Sequence, residues 1–207
     1  MMNSRKWIGY AVIAQALLFV IVPINLTFIQ GSRFQPADFS NPDVLMNTAN
    51  WPVLGIAPLV QFAISIAILL TAIGLYDLYN NDAPLRMRLS FATAVIASTL
   101  ILVSGMNEFM RFYALDIVPA DLRVSALSTF DLIRFTTRNS GFFALGCSMV
   151  LWGGTIYNTN AFPKALGILI ILAGILGLLI IPFQPIGIIV TALWSVWLGA
   201  LFVLPGK

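Results

Sequence analysis

An all-α, polytopic membrane protein is the fold class this sequence predicts, and three observations predict it. Of 207 residues, 59% are hydrophobic and 9% charged, whereas a soluble domain carries roughly 25% charged residues. Mean hydropathy is +0.94. The apolar runs reach the ~20 residues a helix needs to cross a bilayer, and Gly, Pro and Asn clusters separate them. No polar stretch is long enough for a second unit, so residues 1–207 read as a single transmembrane helical bundle domain.

Six spans are predicted, at about 7–29, 52–76, 88–110, 138–157, 164–181 and 186–204. The first follows Arg5 and Lys6, as a signal peptide would, but its apolar run continues past Phe28. A signal h-region takes only about 7–15 residues, so the run is read as a transmembrane helix. Pro23 and Asn25 mark a possible kink near its end. Gly31, Pro36, Asn41 and Pro42 fill the first loop, where Ser40 or Asn41 caps a short helix opening on Pro42 and Asp43. Asn80, Asn81, Asp82 and Pro84 break the chain before the third span, and Asn158, Asn160 and Pro163 before the fifth. Pro182 to Pro185 are expected to form a tight hairpin before the sixth. Trp7, Trp51, Tyr76, Tyr79, Trp152 and Tyr157 fall near span ends, where interface anchors sit.

The third loop contains more than coil. Pro119, Ala120 and Asp121 resemble a helix start, and Leu122, Ala126, Phe130 and Ile133 recur at helical spacing. The prediction is an amphipathic helix in this loop, either interfacial or a water-side extension of the fourth span. Arg5, Lys6, Arg86, Arg88, Lys164 and Lys207 gather on one side of the membrane. The positive-inside rule then places both termini in the cytoplasm of a multi-pass protein of the cell membrane. The turns at Tyr79 to Ala83 and Tyr157 to Ala161 echo each other, and a parallel duplication would put them on one face.

Absent residues remove whole chemistries. There is no His, which excludes His-ligated zinc, bis-His haem and Ser-His-Asp triads. Cys147 is alone, so no disulfide or CxxC pair forms. No metal or cofactor is implied, and a formal charge of +3 is too small for a nucleic-acid footprint. No hydrolase, phosphate-loop or metalloprotease motif is present.

What remains is a charged segment between residues 108 and 138. It holds Glu108, the one Glu of the chain, with Arg111, Asp116, Asp121, Arg123, Asp131, Arg134 and Arg138. Helix rise from Arg88 puts Glu108 about 30 Å away, at the opposite interface. Glu108 and Arg111 share a helix face, as do Asp131, Arg134 and Arg138. Four acids and four Arg make the segment neutral. Glu108, Arg111, Asp131, Arg134 and Arg138 are therefore the candidate ligand-binding residues, either closing on one another or lining a polar pocket. Gln15, Gln61, Ser98 (or Thr99), Ser148 and Ser195 fall near span midpoints and form a candidate polar layer. Small residues four apart, such as Ala94 and Ser98 or Ala173 and Gly177, allow close helix packing.

The later half carries a recognisable pattern. Gly141-Phe142-Phe143-Ala144-Leu145-Gly146 leads to Trp152-Gly153-Gly154-Thr155-Ile156-Tyr157, then Phe162-Pro163-Lys164-Ala165-Leu166-Gly167 and Leu172-Ala173-Gly174. Over about 139–180 this resembles the domain of unknown function 4386 family of small prokaryotic membrane proteins. That family ends its Phe-Gly span in a Tyr, polar loop, Phe-Leu-Pro-Arg turn. Here Lys164 takes the basic position, and Phe162 directly precedes Pro163. The resemblance implies a six-helix bundle and supplies no catalytic residue.

The leading expectation is a non-catalytic membrane protein, either an accessory subunit of a membrane complex or a binder of a lipid or apolar ligand. Its partners would be membrane lipids, other membrane subunits or further copies of the chain. A small transporter or channel using the polar layer is the first alternative, and an intramembrane enzyme using Glu108 the second.

Overall fold

A computed structural model describes residues 2–24, 28, 30, 32–159 and 162–204. Among these residues every regular element is helical. Helix α1 spans Met2–Ile24, α2 Pro42–Met46, α3 Trp51–Leu54 and α4 Ile56–Tyr79; α5 spans Pro84–Ile117, α6 Arg123–Asn158, α7 Lys164–Leu178 and α8 Ile180–Val203. Four helical stretches are long and apolar enough to cross a membrane: Thr48–Tyr79, Pro84–Ile117, Ala120–Asn158 and Ile186–Val203. Lys6–Ile21 and Lys164–Leu178 are shorter apolar helices.

The long helices pack as a closed ring. Each contacts the next, α4 on α5, α5 on α6, α6 on α7 and α7 on α8, and α1 closes the circle between α8 and α4. Short turns dictate this order, because they force consecutive helices to lie antiparallel side by side. The centre is filled by Val12, Ile68, Ala97, Ile101, Trp152 and Trp194, all essentially without solvent contact. Outward positions stay apolar, as in Leu59, Ile66, Ile96, Ile168 and Leu193. A helix apolar all round has no aqueous face to present, which suits hydrocarbon.

The α6–α7 seam is the tightest. A Cβ added at Gly153 would lie 2.6 Å from the Gly167 carbonyl, and one at Gly146 would lie 2.7 Å from that of Gly174. Two glycines seven apart on each helix let the backbones touch. Of the small pairs four apart, Ala173 is buried here, but Gly177 has ordinary clearance, with nothing nearer than 3.4 Å.

Several expectations are corrected. The third-loop helix is not separate: after a 3-10 turn at Ala120–Leu122, α6 runs unbroken from Arg123 to Asn158. Of the two forms expected it takes the second, a continuation of the helix of the fourth predicted span, whose boundary at 138 falls in mid-helix. The helix of the third predicted span likewise continues past 110, to Ile117. No loop occupies residues 182–185. The break falls at Leu179, and the backbone is helical again from Ile180. Tyr79 and Trp152 are core residues, each 1% exposed, whereas Trp7 and Tyr157 lie outside. Cys147 is only partly buried. Helix α1 passes through Pro23, and Asn25 and Asn160 lie outside the described residues.

The first loop supplies a feature that periodicity does not reveal. Asn41 caps α2 through its side chain, accepting from the Asp43 amide at 3.0 Å, as the Asn-Pro-Asp spacing predicts. Residues 34–54 then fold over the far end of α5 and the start of α6, where Leu45 and Leu54 pack on Phe112, Leu115 and Leu127. Trp51 Nε1 donates to the Leu45 carbonyl at 3.0 Å and pins this cap. Leu45→Ala is expected to destabilise the cap by about 2–5 kcal/mol. Hydrogen exchange should then rise across 34–54 while the α6–α7 seam stays protected.

Candidate functional site

The site is built where α5 and α6 outrun the apolar part of the bundle. Helix α5 has 34 residues, about 51 Å at 1.5 Å per residue, and α6 has 36, about 54 Å. A hydrocarbon core is about 30 Å thick, so some 20 Å of this hairpin continues beyond it. The turns after Tyr79 and Asn158 mark the opposite end, where Tyr79 and Phe162 rings lie 6.3 Å apart. Counting ~20 residues from that end brings α5 to Ser104, one turn short of Glu108, and α6 to Arg138.

Four charged side chains meet there as a closed square. Arg111 Nη1 donates to Asp131 Oδ1 at 2.9 Å, and Arg134 Nη1 to Glu108 Oε1 at 3.1 Å. Arg134 Nη2 lies 3.2 Å from Asp131 Oδ1. Arg111 Nη2 lies 3.9 Å from Glu108 Oε1. The i, i+3 spacings put each acid beside an Arg on its own helix, and the hairpin register adds the cross pairs. Glu108 and Arg111 are 5% and 2% exposed, so each charge is deprived of water and depends on its partners.

Gln61, expected in the polar layer, and two residues outside the expected set complete the square. Gln61 of α4 donates its amide N–H to the second carboxylate oxygen, Glu108 Oε2. Asn107 Nδ2 donates to the Phe130 carbonyl at 2.7 Å, and Ser104 Oγ to that of Arg134 at 3.2 Å. These bonds set the α5–α6 register that aligns the charges. Arg123 serves elsewhere, donating Nε to the Leu115 and Val118 carbonyls and so capping the end of α5. Asp116 and Asp121 are exposed and take no part. Asn107 and Ser104 are ordinary polar residues on an apolar helix, and no local spacing singles them out.

Arg138 joins the neighbourhood but not the square. It lies one turn below Arg134, its guanidinium carbon 6.0 Å from the Phe135 ring centroid. Three guanidiniums therefore accompany two carboxylates. The segment is neutral as a whole, yet this cluster carries one surplus positive charge.

The polar layer does not assemble around a shared cavity. Gln61 belongs to the charged square. Gln15 Oε1 accepts from Thr71 at 3.0 Å, joining α1 to α4. Ser98 and Ser65 bond reciprocally, each hydroxyl to the other's carbonyl at 2.9 and 2.8 Å. Ser148 and Thr93 lie 2.8 Å apart between α5 and α6. The Ser195 hydroxyl is buried without a partner among the described residues, and Thr99 is exposed. These are interhelical clamps, each worth around 0.6 kcal/mol by analogy with measured membrane pairs.

A partly open apolar pocket lies away from the charges. A cavity of about 50 Å³ sits between α1, α6, α7 and α8, lined by Phe19, Leu145, Met149, Ala173, Ile188 and Thr191. It suits an apolar group rather than an ion. Among the described residues, no three His, Cys, Asp or Glu side chains gather as a metal site. Comparison with protein-family models, curated proteins and solved structures finds no match.

Gln61→Leu tests how the square is held. It removes the donor to Glu108 Oε2 and leaves that oxygen buried, which is expected to destabilise by about 1–3 kcal/mol. Thermal unfolding in detergent measures the loss, and an unchanged midpoint would remove Gln61 from the site.

Proposed function

We propose that this chain is a six-span, non-catalytic protein of the cell membrane that binds lipid or serves as an accessory subunit of a membrane complex. In this reading α1, α7 and α8 cross with α4, α5 and α6, and both termini face the cytoplasm. The charged square lies at the opposite interface. The resemblance of residues 139–180 to the domain of unknown function 4386 family is part of the same proposal.

One observation carries the non-catalytic reading. Both oxygens of Glu108 are engaged, one by Arg134 and Arg111 and the other by Gln61. A general acid or base needs an oxygen within reach of substrate, and here each oxygen already has a resident donor. The transporter alternative rests on the polar layer, of which Gln15, Gln61, Ser98 and Ser148 are engaged in bonds between helices.

The binding half of the proposal is motivated by the broad apolar exterior and the small apolar cavity. Gentle detergent extraction followed by native mass spectrometry tests it. The expected result is retained lipid or a copurifying membrane subunit. A stable, folded, fully bare chain would contradict it. In proteoliposomes, solute flux abolished by Gln15→Leu in a folded protein would favour the transporter instead. Turnover of a substrate abolished by Glu108→Gln would favour the enzyme.

A further inference from the structure

Resting on the lipid-binding reading above, we infer that Arg138 holds the phosphate of an anionic lipid headgroup at the interface shared with the charged square. Arg138 makes no ion pair among the described residues, although two carboxylates stand within two turns of it on α5 and α6. Both are already taken by Arg111 and Arg134. Its Nε is buried without an acceptor, and so is the Nε of Arg134 one turn above. Like Arg111, these two guanidiniums therefore carry an N–H that the protein does not satisfy, and of the three Arg138 alone has no carboxylate partner while remaining only partly buried.

Position and direction select the ligand. Arg138 lies twenty residues from Asn158 on α6, about 30 Å, and so at the hydrocarbon boundary. Side chains on a helix lean toward its N-terminus, which on α6 points Arg138 out of the hydrocarbon toward the headgroups. The flanking Leu132 and Phe135, on the headgroup side of Arg138, are 67% and 50% exposed, an apolar rim at the level of the interface. A guanidinium beside such a rim matches a phosphodiester by paired N–H to oxygen bonds. The surplus positive charge of the cluster favours a headgroup with net negative charge over a zwitterionic one.

The test is lipid titration of the purified full chain in detergent, read by native mass spectrometry. The probes are phosphatidylglycerol, phosphatidylcholine and inorganic phosphate. Phosphatidylglycerol is expected to bind tightest, and its affinity to fall as salt rises. Arg138→Gln should weaken it about five-fold or more, the equivalent of about 1 kcal/mol for a basic residue at an anionic surface. Arg138→Lys should retain part of the preference. Near-ultraviolet circular dichroism checks that each variant is folded. If Arg138→Gln misfolds, the salt dependence of the unaltered protein decides.

Equal affinity for the two lipids, no salt dependence, or wild-type affinity in folded Arg138→Gln would overturn the inference. Saturation by inorganic phosphate at the same concentration would make this a free-anion site and also overturn it. Lipid retained by Arg138→Gln at wild-type strength leaves the general lipid-binding reading intact. A wild-type chain that keeps neither lipid nor partner ends both.

Discussion

Replacing Glu108 by Leu is expected to lower stability by about 3–5 kcal/mol, the largest effect of any single change at the charged square. The carboxylate itself contributes little net energy after desolvation. Its removal matters because Arg111, with 3% of its side chain exposed, and Arg134, with 25%, lose the shared oxygen between them. Asp131 is 31% exposed, so water compensates part of its loss. Asp131→Asn should therefore cost about 1 kcal/mol or less.

The double variant Glu108→Leu with Arg134→Leu leaves the Arg111–Asp131 pair balanced, and should recover more than half of the single loss. Reversible unfolding in mixed micelles measures all three. A loss below about 1 kcal/mol for Glu108→Leu would show that these charges remain hydrated.

Two adjacent glycines give the second large effect with its own control. Gly153→Ala forces a methyl against the Gly167 carbonyl at 2.6 Å, and backbone on both sides cannot rotate away. The helices must separate, at about 1–3 kcal/mol. Beside it, Gly154 faces only the tip of Arg86 at 3.7 Å. Gly154→Ala should be neutral or slightly stabilising, since Ala is the better helix former. Thermal midpoints of the two variants separate the packing term from propensity. Equal midpoints would mean that α6 and α7 do not touch through Gly153.

How much of this was readable from residues varies with the physics involved. The helical, apolar character follows from run length alone, which is a local property. The apolar runs give span bounds at 110 and 138, but the helices run on through the charged residues beyond them. The i to i+4 hydrogen bonds of α5 and α6 continue through Glu108, Arg111, Asp131 and Arg134, since those side chains neutralise one another across the seam. Their spacing showed which residues share a face. Which acid meets which Arg depends on the register of the α5–α6 hairpin, set by Asn107 and Ser104 bonding to backbone carbonyls.

Gln61 shows a second kind of limit. Counting from Pro52 places it mid-span, but Trp51 to Leu54 form the short helix α3 of the cap. Helix α4 begins only at Ile56, so Gln61 lies near the interface and within reach of Glu108. The cap has no periodic signature in the sequence, because its apolar residues are scattered among short helices. Its partners, Phe112, Leu115 and Leu127, lie more than fifty residues away along the chain.

The proposed function requires the charged square to lie across the bilayer from the turns after Tyr79 and Asn158. Cysteine labelling tests that most directly. In a Cys147→Ser background, Asp82→Cys and Thr129→Cys each place one thiol at an exposed position. A membrane-impermeant maleimide applied to intact cells is expected to label Thr129→Cys alone, with Asp82→Cys labelled only after permeabilisation. Labelling of both sites from the same side would contradict the arrangement.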